Sequence, residues 1–176
     1  MARAFYRTET APSAAAITTR LGAVSTAFPD TEIGKFVKPS GESGYVLCAV
    51  GDLIDGYVSS VSSDKGTSAG FVLGSVQRRE CKSVTFDGSQ AAGTGAIALG
   101  DAVVAGTPVA QGTALTIGTV AKVRKATLQP HVTAPAALAD VPTHINASQY
   151  MWKVISLGTV GTGAVGTIGV IERVGT

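Results

Sequence analysis

Residues suited to chemistry are few and scattered along this chain. The nearest approach to a cofactor motif is Gly161-Thr162-Gly163-Ala164-Val165-Gly166, which matches the G-x-G-x-x-G phosphate cradle and follows a strand-like run. Such a cradle must open a helix, because the helix N-terminal amides hold the pyrophosphate. Here Thr167, Ile168, Gly169, Val170 and Ile171 follow instead, and β-branched residues with glycine read as a strand after a turn. No cofactor is expected. His131 and His144 stand thirteen positions apart with only Asp140 near them, so no short-spaced pair on one element offers a metal site. No serine lies in a G-x-S-x-G elbow, and no pair of carboxylates stands out for glycoside chemistry. Asp52, Asp55, Asp87 and Asp101 each lie beside a glycine, where turn formation accounts for them. The expectation is that the chain has no catalytic residue and is not an enzyme.

Three further groups have simpler readings. Trp152 and Tyr150 bracket Met151 just before a strand, and a packing cluster in the core or at a hinge is favoured over a ligand platform. Cys48 sits within the apolar run from Tyr45 to Val50 and reads as a small buried hydrophobe. Cys48 and Cys81 form no C-x-x-C and no dense framework, which makes a reducing compartment the default. Asn146-Ala147-Ser148 is a formal glycosylation sequon and is read as chance.

Composition points toward contact with other proteins. The 176 residues suit one domain with an extended arm. Apolar residues make up 45% and charged residues only 15% of the chain, against about 25% charged in an average globular protein. Much of the surface must therefore be neutral Ala, Gly, Ser and Thr, which suits a surface meant to be covered by a neighbour. The net charge of +2 is too small to imply a nucleic-acid partner. Two basic clusters exist, Arg78-Arg79 with Lys82 and Lys122 with Arg124-Lys125, but neither is interleaved with aromatics for base stacking. They read as solvated or interface-rim groups. The N-terminus lacks the apolar core of a signal peptide, and no apolar run of spanning length escapes interruption by glycine, so no membrane span is expected.

The elements that must position these residues read as β throughout. Residues 1–20 form an extended N-terminal arm without helical or strand period, in which Arg3, Phe5, Tyr6 and Arg7 are the contact candidates. Residues 21–176 form a single β-rich domain with a long loop excursion at about 129–148, a segment with three prolines and both histidines. Between them, ten to twelve short strands alternate with turn signals, which predicts an all-β fold, an antiparallel sandwich or barrel. The stretch from Ala91 to Val123 organises this pattern, and its Gly93-Thr94-Gly95-Ala96 recurs as Gly161-Thr162-Gly163-Ala164. Gly34-Lys35, Gly51-Asp52 and Gly100-Asp101 are each expected to turn the chain into a new strand. Strands are also expected at Leu53-Ile54, Ile97 to Leu99, Val109-Ala110 and Leu115 to Val123.

Ala92 to Val104, Val120 to Thr127 and the ending from Met151 to Val174 resemble the small head-decoration, or capsid cement, proteins of tailed bacteriophages. The resemblance covers roughly the last half of the chain. It implies a β-rich structural virion protein, often trimeric, that binds the outer surface of an assembled capsid and stabilises the lattice. The implied partners are the major capsid protein and further copies of the chain, the implied location is the virion surface after synthesis in the host bacterial cytoplasm, and no catalytic residue or cofactor carries over. Family members commonly reach neighbouring subunits with a terminal arm, a role that residues 1–20 would fit. Two alternatives remain: another β-domain virion component such as a tail-tube or head-completion subunit, and a carbohydrate-binding module or enzyme.

Overall fold

A computed structural model describes residues 16–22, 29–41, 44–62, 72–78, 81–89, 93–115, 120–127 and 152–174. The described residues are all-β apart from one 3-10 turn at Pro29–Glu32. Ten strands run in chain order as β1 (Ala16–Leu21), β2 (Phe36–Pro39), β3 (Tyr45–Leu47), β4 (Gly56–Val61), β5 (Val72–Gln77), β6 (Lys82–Phe86), β7 (Val103–Ala105), β8 (Lys122–Lys125), β9 (Trp152–Ser156) and β10 (Ile168–Arg173). The first five close into a barrel of order β1-β3-β2-β4-β5, and the rest form a five-stranded sheet of order β7-β8-β6-β10-β9.

The second sheet repeats the first strand for strand. In the barrel, β1 runs parallel to β3 and antiparallel to β5, β2 pairs antiparallel with β3 and β4, and β4 pairs antiparallel with β5. In the sheet, β6 runs parallel to β8 and antiparallel to β10, β7 pairs antiparallel with β8, and β9 pairs antiparallel with β10. The remaining contact, β7 with β9, is present as the antiparallel bridge between Ala102 and Lys153 and brings the sheet nearly full circle. Even the irregularities agree. The β4–β5 ladder shifts between Val58 and Ser60, and the β9–β10 ladder shifts at the matching place, between Val154 and Ser156.

Registers then equate individual residues. Leu21 of β1 faces Tyr45 and Val72, as Phe86 of β6 faces Val123 with Ile168 opposite its neighbour Thr85. By the same registers Gly74 corresponds to Gly169 and Arg78 to Arg173. The paired glycines have one physical cause. A Cβ on Gly74 would strike the Ser60 carbonyl and the Leu21 side chain, and a Cβ on Gly169 would strike the Ser156 carbonyl and the Phe86 ring. The first strand of each unit sends its large side chain across that position, so only a hydrogen fits there.

Packing joins the two units. One buried cluster takes Phe36, Cys48, Ile54 and Tyr57 from the first half and Val84, Phe86, Ile97, Val123, Trp152 and Ile171 from the second. A second cluster, of Leu21, Val37, Tyr45, Val58, Val72 and Val76, fills the barrel alone. Trp152 is almost wholly buried, in keeping with the packing reading of that residue. Cys48 is buried and Cys81 exposed, both as free thiols, and burial pushes the Cys48 thiol up to about 12.

Several local expectations change. The boundary of the expected arm at residue 20 falls inside a strand, because Ala16–Leu21 pairs along its whole length with β5. The sheets are mixed, through the short parallel contacts of β1 with β3 and β6 with β8. Leu53-Ile54, Ile97 to Leu99 and Val109-Ala110 are connecting segments; of the strand expected at Leu115 to Val123, residues 116–119 lie outside the described residues, and its end overlaps β8 at Lys122–Lys125. Arg3, Phe5, Tyr6, Arg7, the excursion at 129–148 and both histidines lie outside the described residues.

Candidate interaction surface

Four turns of one construction stand out on the surface: Glu32 to Lys35, Ala49 to Asp52, Ala98 to Asp101 and Ala164 to Thr167. In each, the fourth residue's N–H donates to the first residue's carbonyl, at 3.2, 3.2, 3.2 and 3.1 Å. The third residue is glycine with φ of 90°, 84°, 82° and 83°, the left-handed position of a type II turn that a side chain would strain. Each turn also docks on a strand through two backbone bonds. Gly34 N donates to the Val58 carbonyl and Val58 N to Lys35; the same exchange joins Gly51 and Asp52 to Ala105, Gly100 and Asp101 to Val154, and Gly166 and Thr167 to Phe86, all at 2.7 to 3.0 Å. The turn of Ala49 to Asp52 therefore crosses from the first unit onto β7 of the second, which is why it starts no strand of its own.

The second residue of each of these four strand-docked turns is a large aliphatic pointing into solvent, Ile33, Val50, Leu99 and Val165, between 41% and 61% exposed. The similar turn of Ala110 to Thr113, which docks on Glu32 instead, carries Gln111 there. A single exposed aliphatic is ordinary. Four on rigid, doubly bonded turns would lose little conformational entropy if a partner covered them.

Among the described residues, five carboxylates hold the fold together. Asp52 Oδ2 accepts Ala49 N at 2.6 Å and meets Lys38 Nζ at 2.7 Å, and Asp101 repeats this with Ala98 N at 2.8 Å and Lys125 Nζ at 2.8 Å. Asp87 Oδ2 accepts both the amide and the hydroxyl of Thr107 at 2.7 Å. Glu32, fully buried, accepts Gly112 N at 2.5 Å on Oε1 and faces Lys35 Nζ at 3.1 Å on Oε2. The latter angle is poor for a hydrogen bond, so that contact is chiefly coulombic. Lys35 Nζ donates to the Ala110 carbonyl at 2.6 Å, and together these groups pin the loop before β8.

Asp55 does more than form a turn. Its carboxylate receives the Tyr45 hydroxyl, Arg78 Nη2 at 3.0 Å and Arg173 Nη1 at 3.2 Å, while its carbonyl accepts Arg173 Nη1 at 2.6 Å. The two arginines are equivalent positions of the two units, and both converge on this one acid. Burial raises the Tyr45 hydroxyl well above its usual range, with the bond to Asp55 adding to the effect. Burial lowers Arg173, with Asp55 opposing. The basic clusters expected as solvated or rim groups are thus partly internal: Arg78 serves Asp55, Lys125 serves Asp101, and Lys82 lies 4.3 Å above the Tyr57 ring, with burial lowering its pKa.

A cavity of about 30 Å³ beside Phe36, Leu47, Cys48, Ala105, Pro108 and Ala121 has room for one or two waters and no larger guest. No group of three or more metal-ligating side chains occurs among the described residues. Gly161 and Gly163 (φ 69° and 58°) turn the chain after β9, and a strand follows, so the G-x-G-x-x-G match is a turn. Its textual twin at Gly93 and Gly95 has the same signs of φ, 76° and 65°, and the residue that follows it meets the second copy: Ile97 N donates to the Gly163 carbonyl at 2.9 Å. Comparisons with protein-family models, with curated proteins and with solved structures found no match to this chain.

Proposed function

We propose that the chain is a structural virion protein that binds the outer surface of an assembled tailed-phage capsid and cements the lattice, acting as a symmetric trimer. The observation that carries this reading is the set of four locked type II turns with outward aliphatic tips. Rigid apolar points suit many modest contacts repeated by symmetry, where avidity over a lattice replaces high affinity at one site. The likeness of Ala92 to Val104, Val120 to Thr127 and Met151 to Val174 to capsid cement proteins supports the same reading. Its partners are the major capsid protein and further copies of the chain, and Arg3, Phe5, Tyr6 and Arg7 are the arm's contact residues.

The test separates arm from barrel. Because β1 begins at Ala16, a deletion should remove residues 1–15 and leave the β1–β5 ladder whole. The truncated protein is expected to keep its far-ultraviolet circular dichroism and to co-sediment weakly with undecorated capsid shells. Undiminished binding defeats the arm's role, and full-length protein that ignores capsids defeats the cement reading itself.

A further inference from the structure

The two units are the same fold built twice, so each is a control for what the fold requires of the other. On the outward face of the fourth and fifth strands they differ. Ser59, the extra residue at the ladder shift of β4, corresponds to Ile155 in β9; Ser75 in β5 corresponds to Val170 in β10; Leu73 corresponds to Ile168. At Ser59 and Ser75 the first unit makes the same ladder and the same shift with serines, the Ser59 hydroxyl donating to the Ser75 carbonyl at 3.0 Å, so the fold has no need of aliphatic side chains at those two positions. At the third, Leu73 is an exposed aliphatic like Ile168. Yet Ile155 and Ile168 are each 45% exposed, and Val170, partly buried, lies two residues from Ile168 along β10 and pairs with Ser156, the neighbour of Ile155. Exposed apolar surface that the architecture does not demand marks a contact site.

We infer that this strip of Ile155, Ile168 and Val170 is the face by which the second unit docks on a capsid subunit, an inference that rests on the cement reading. Its size selects the occupant. Three partly exposed side chains present on the order of 200–300 Å², below the roughly 300–600 Å² of the largest apolar patch on an ordinary monomer. A stable two-body interface needs about 800 Å² from each partner. The strip is therefore too small to hold a second free copy of the chain, and it fits a partner already fixed in place by a lattice and gripped at several points at once. The rim is polar and balanced, with Glu172 directly opposite Lys153 on one side and Ser83 and Thr85 on the other. The matching surface is thus an apolar strip of a capsid subunit carrying no net charge.

The equivalence also supplies the substitutions. I155S with V170S installs the residues that the first unit carries at the same positions, and L73S removes the exposed aliphatic of the first unit as a comparison. Each full-length protein is titrated against undecorated shells assembled from the major capsid protein of the same phage, and its oligomeric mass is measured by sedimentation. The expected result is a rise in apparent Kd of tenfold or more for I155S/V170S, less than twofold change for L73S, and an unchanged oligomer for both. Unweakened binding by I155S/V170S, with wild-type binding intact, overturns this assignment and leaves the cement reading standing. Loss of the oligomer in I155S/V170S overturns it too, by giving the strip to self-association. Failure of the wild-type protein to bind shells removes the cement reading and this inference together.

Discussion

At Asp55 one carboxylate balances two guanidinium groups and a phenol, and all four side chains are at least partly withdrawn from water. Replacing Asp55 with Ala would leave Arg78 and Arg173 facing each other with no anion between them. Removing one member of a buried pair typically costs about 3–5 kcal/mol, and the 30% exposure of the Arg78 side chain reduces this to an expected loss of about 2–3 kcal/mol, read from urea denaturation. A loss below about 0.5 kcal/mol, the scale of a surface pair, would mean that the network is peripheral. Alkaline pH acts at the neighbouring residues. Folding raises the Cys48 thiol to about 12 from an ordinary value of 9.0 and raises the Tyr45 hydroxyl as well. Both groups stay protonated in the fold while the unfolded chain ionises, so stability is full below about pH 9 and falls as pH rises from there toward about 12. Cys48→Ala should make that decline shallower than in wild type when denaturation midpoints at about pH 8 and pH 10.5 are compared. An unchanged slope would show that Cys48 does not contribute.

Glycines differ sharply in what they do within an element. Gly161 and Gly163 both have positive φ, but a Cβ on Gly161 meets nothing nearby, whereas one on Gly163 would enter the Ile97 carbonyl. Gly161→Ala should cost only the backbone strain, about 1 kcal/mol, and Gly163→Ala should cost about 3 kcal/mol or more, because the close approach of Gly163 to Ile97 must open. Equal losses in thermal or urea denaturation would show that Gly163 is not packed against Ile97. Turns of this kind were readable in the sequence, since glycine beside Asp, Lys or Thr limits the chain to few conformations. Their destinations were not. Nothing local to Gly51-Asp52 distinguishes it from Gly100-Asp101, yet the first caps the opposite unit at Ala105 and the second caps its own at Val154.

For the whole molecule, the shared cluster around Phe36, Tyr57, Phe86 and Trp152 couples the units. They should unfold in one transition, with the fluorescence of Trp152, the sole tryptophan, and far-ultraviolet circular dichroism giving coincident curves. Separate midpoints would show that the barrel and the second sheet are independent. The apolar strip of Ile155, Ile168 and Val170 likewise stands out only when one unit is laid over the other.

Residue types and their order determined the β class, the glycine turns, the burial of Cys48 and Trp152, and the turn-then-strand reading of Gly161 to Gly166. These follow from local rules: alternation, glycine geometry, and side chains too apolar for water. The duplication was hidden, because a sheet asks each position only for the right size and face. β5 with the residue that follows it shares with β10 just Gly74 with Gly169 and Arg78 with Arg173. The identical Gly-Thr-Gly-Ala segments, which drew the eye, are not equivalent positions of the two units at all. Closure of the strands into two matching units, the convergence of both arginines on Asp55, and the contrast of Ile155 and Val170 with Ser59 and Ser75 were decided by tertiary structure, because each depends on residues far apart in sequence being brought together by the pairing of strands.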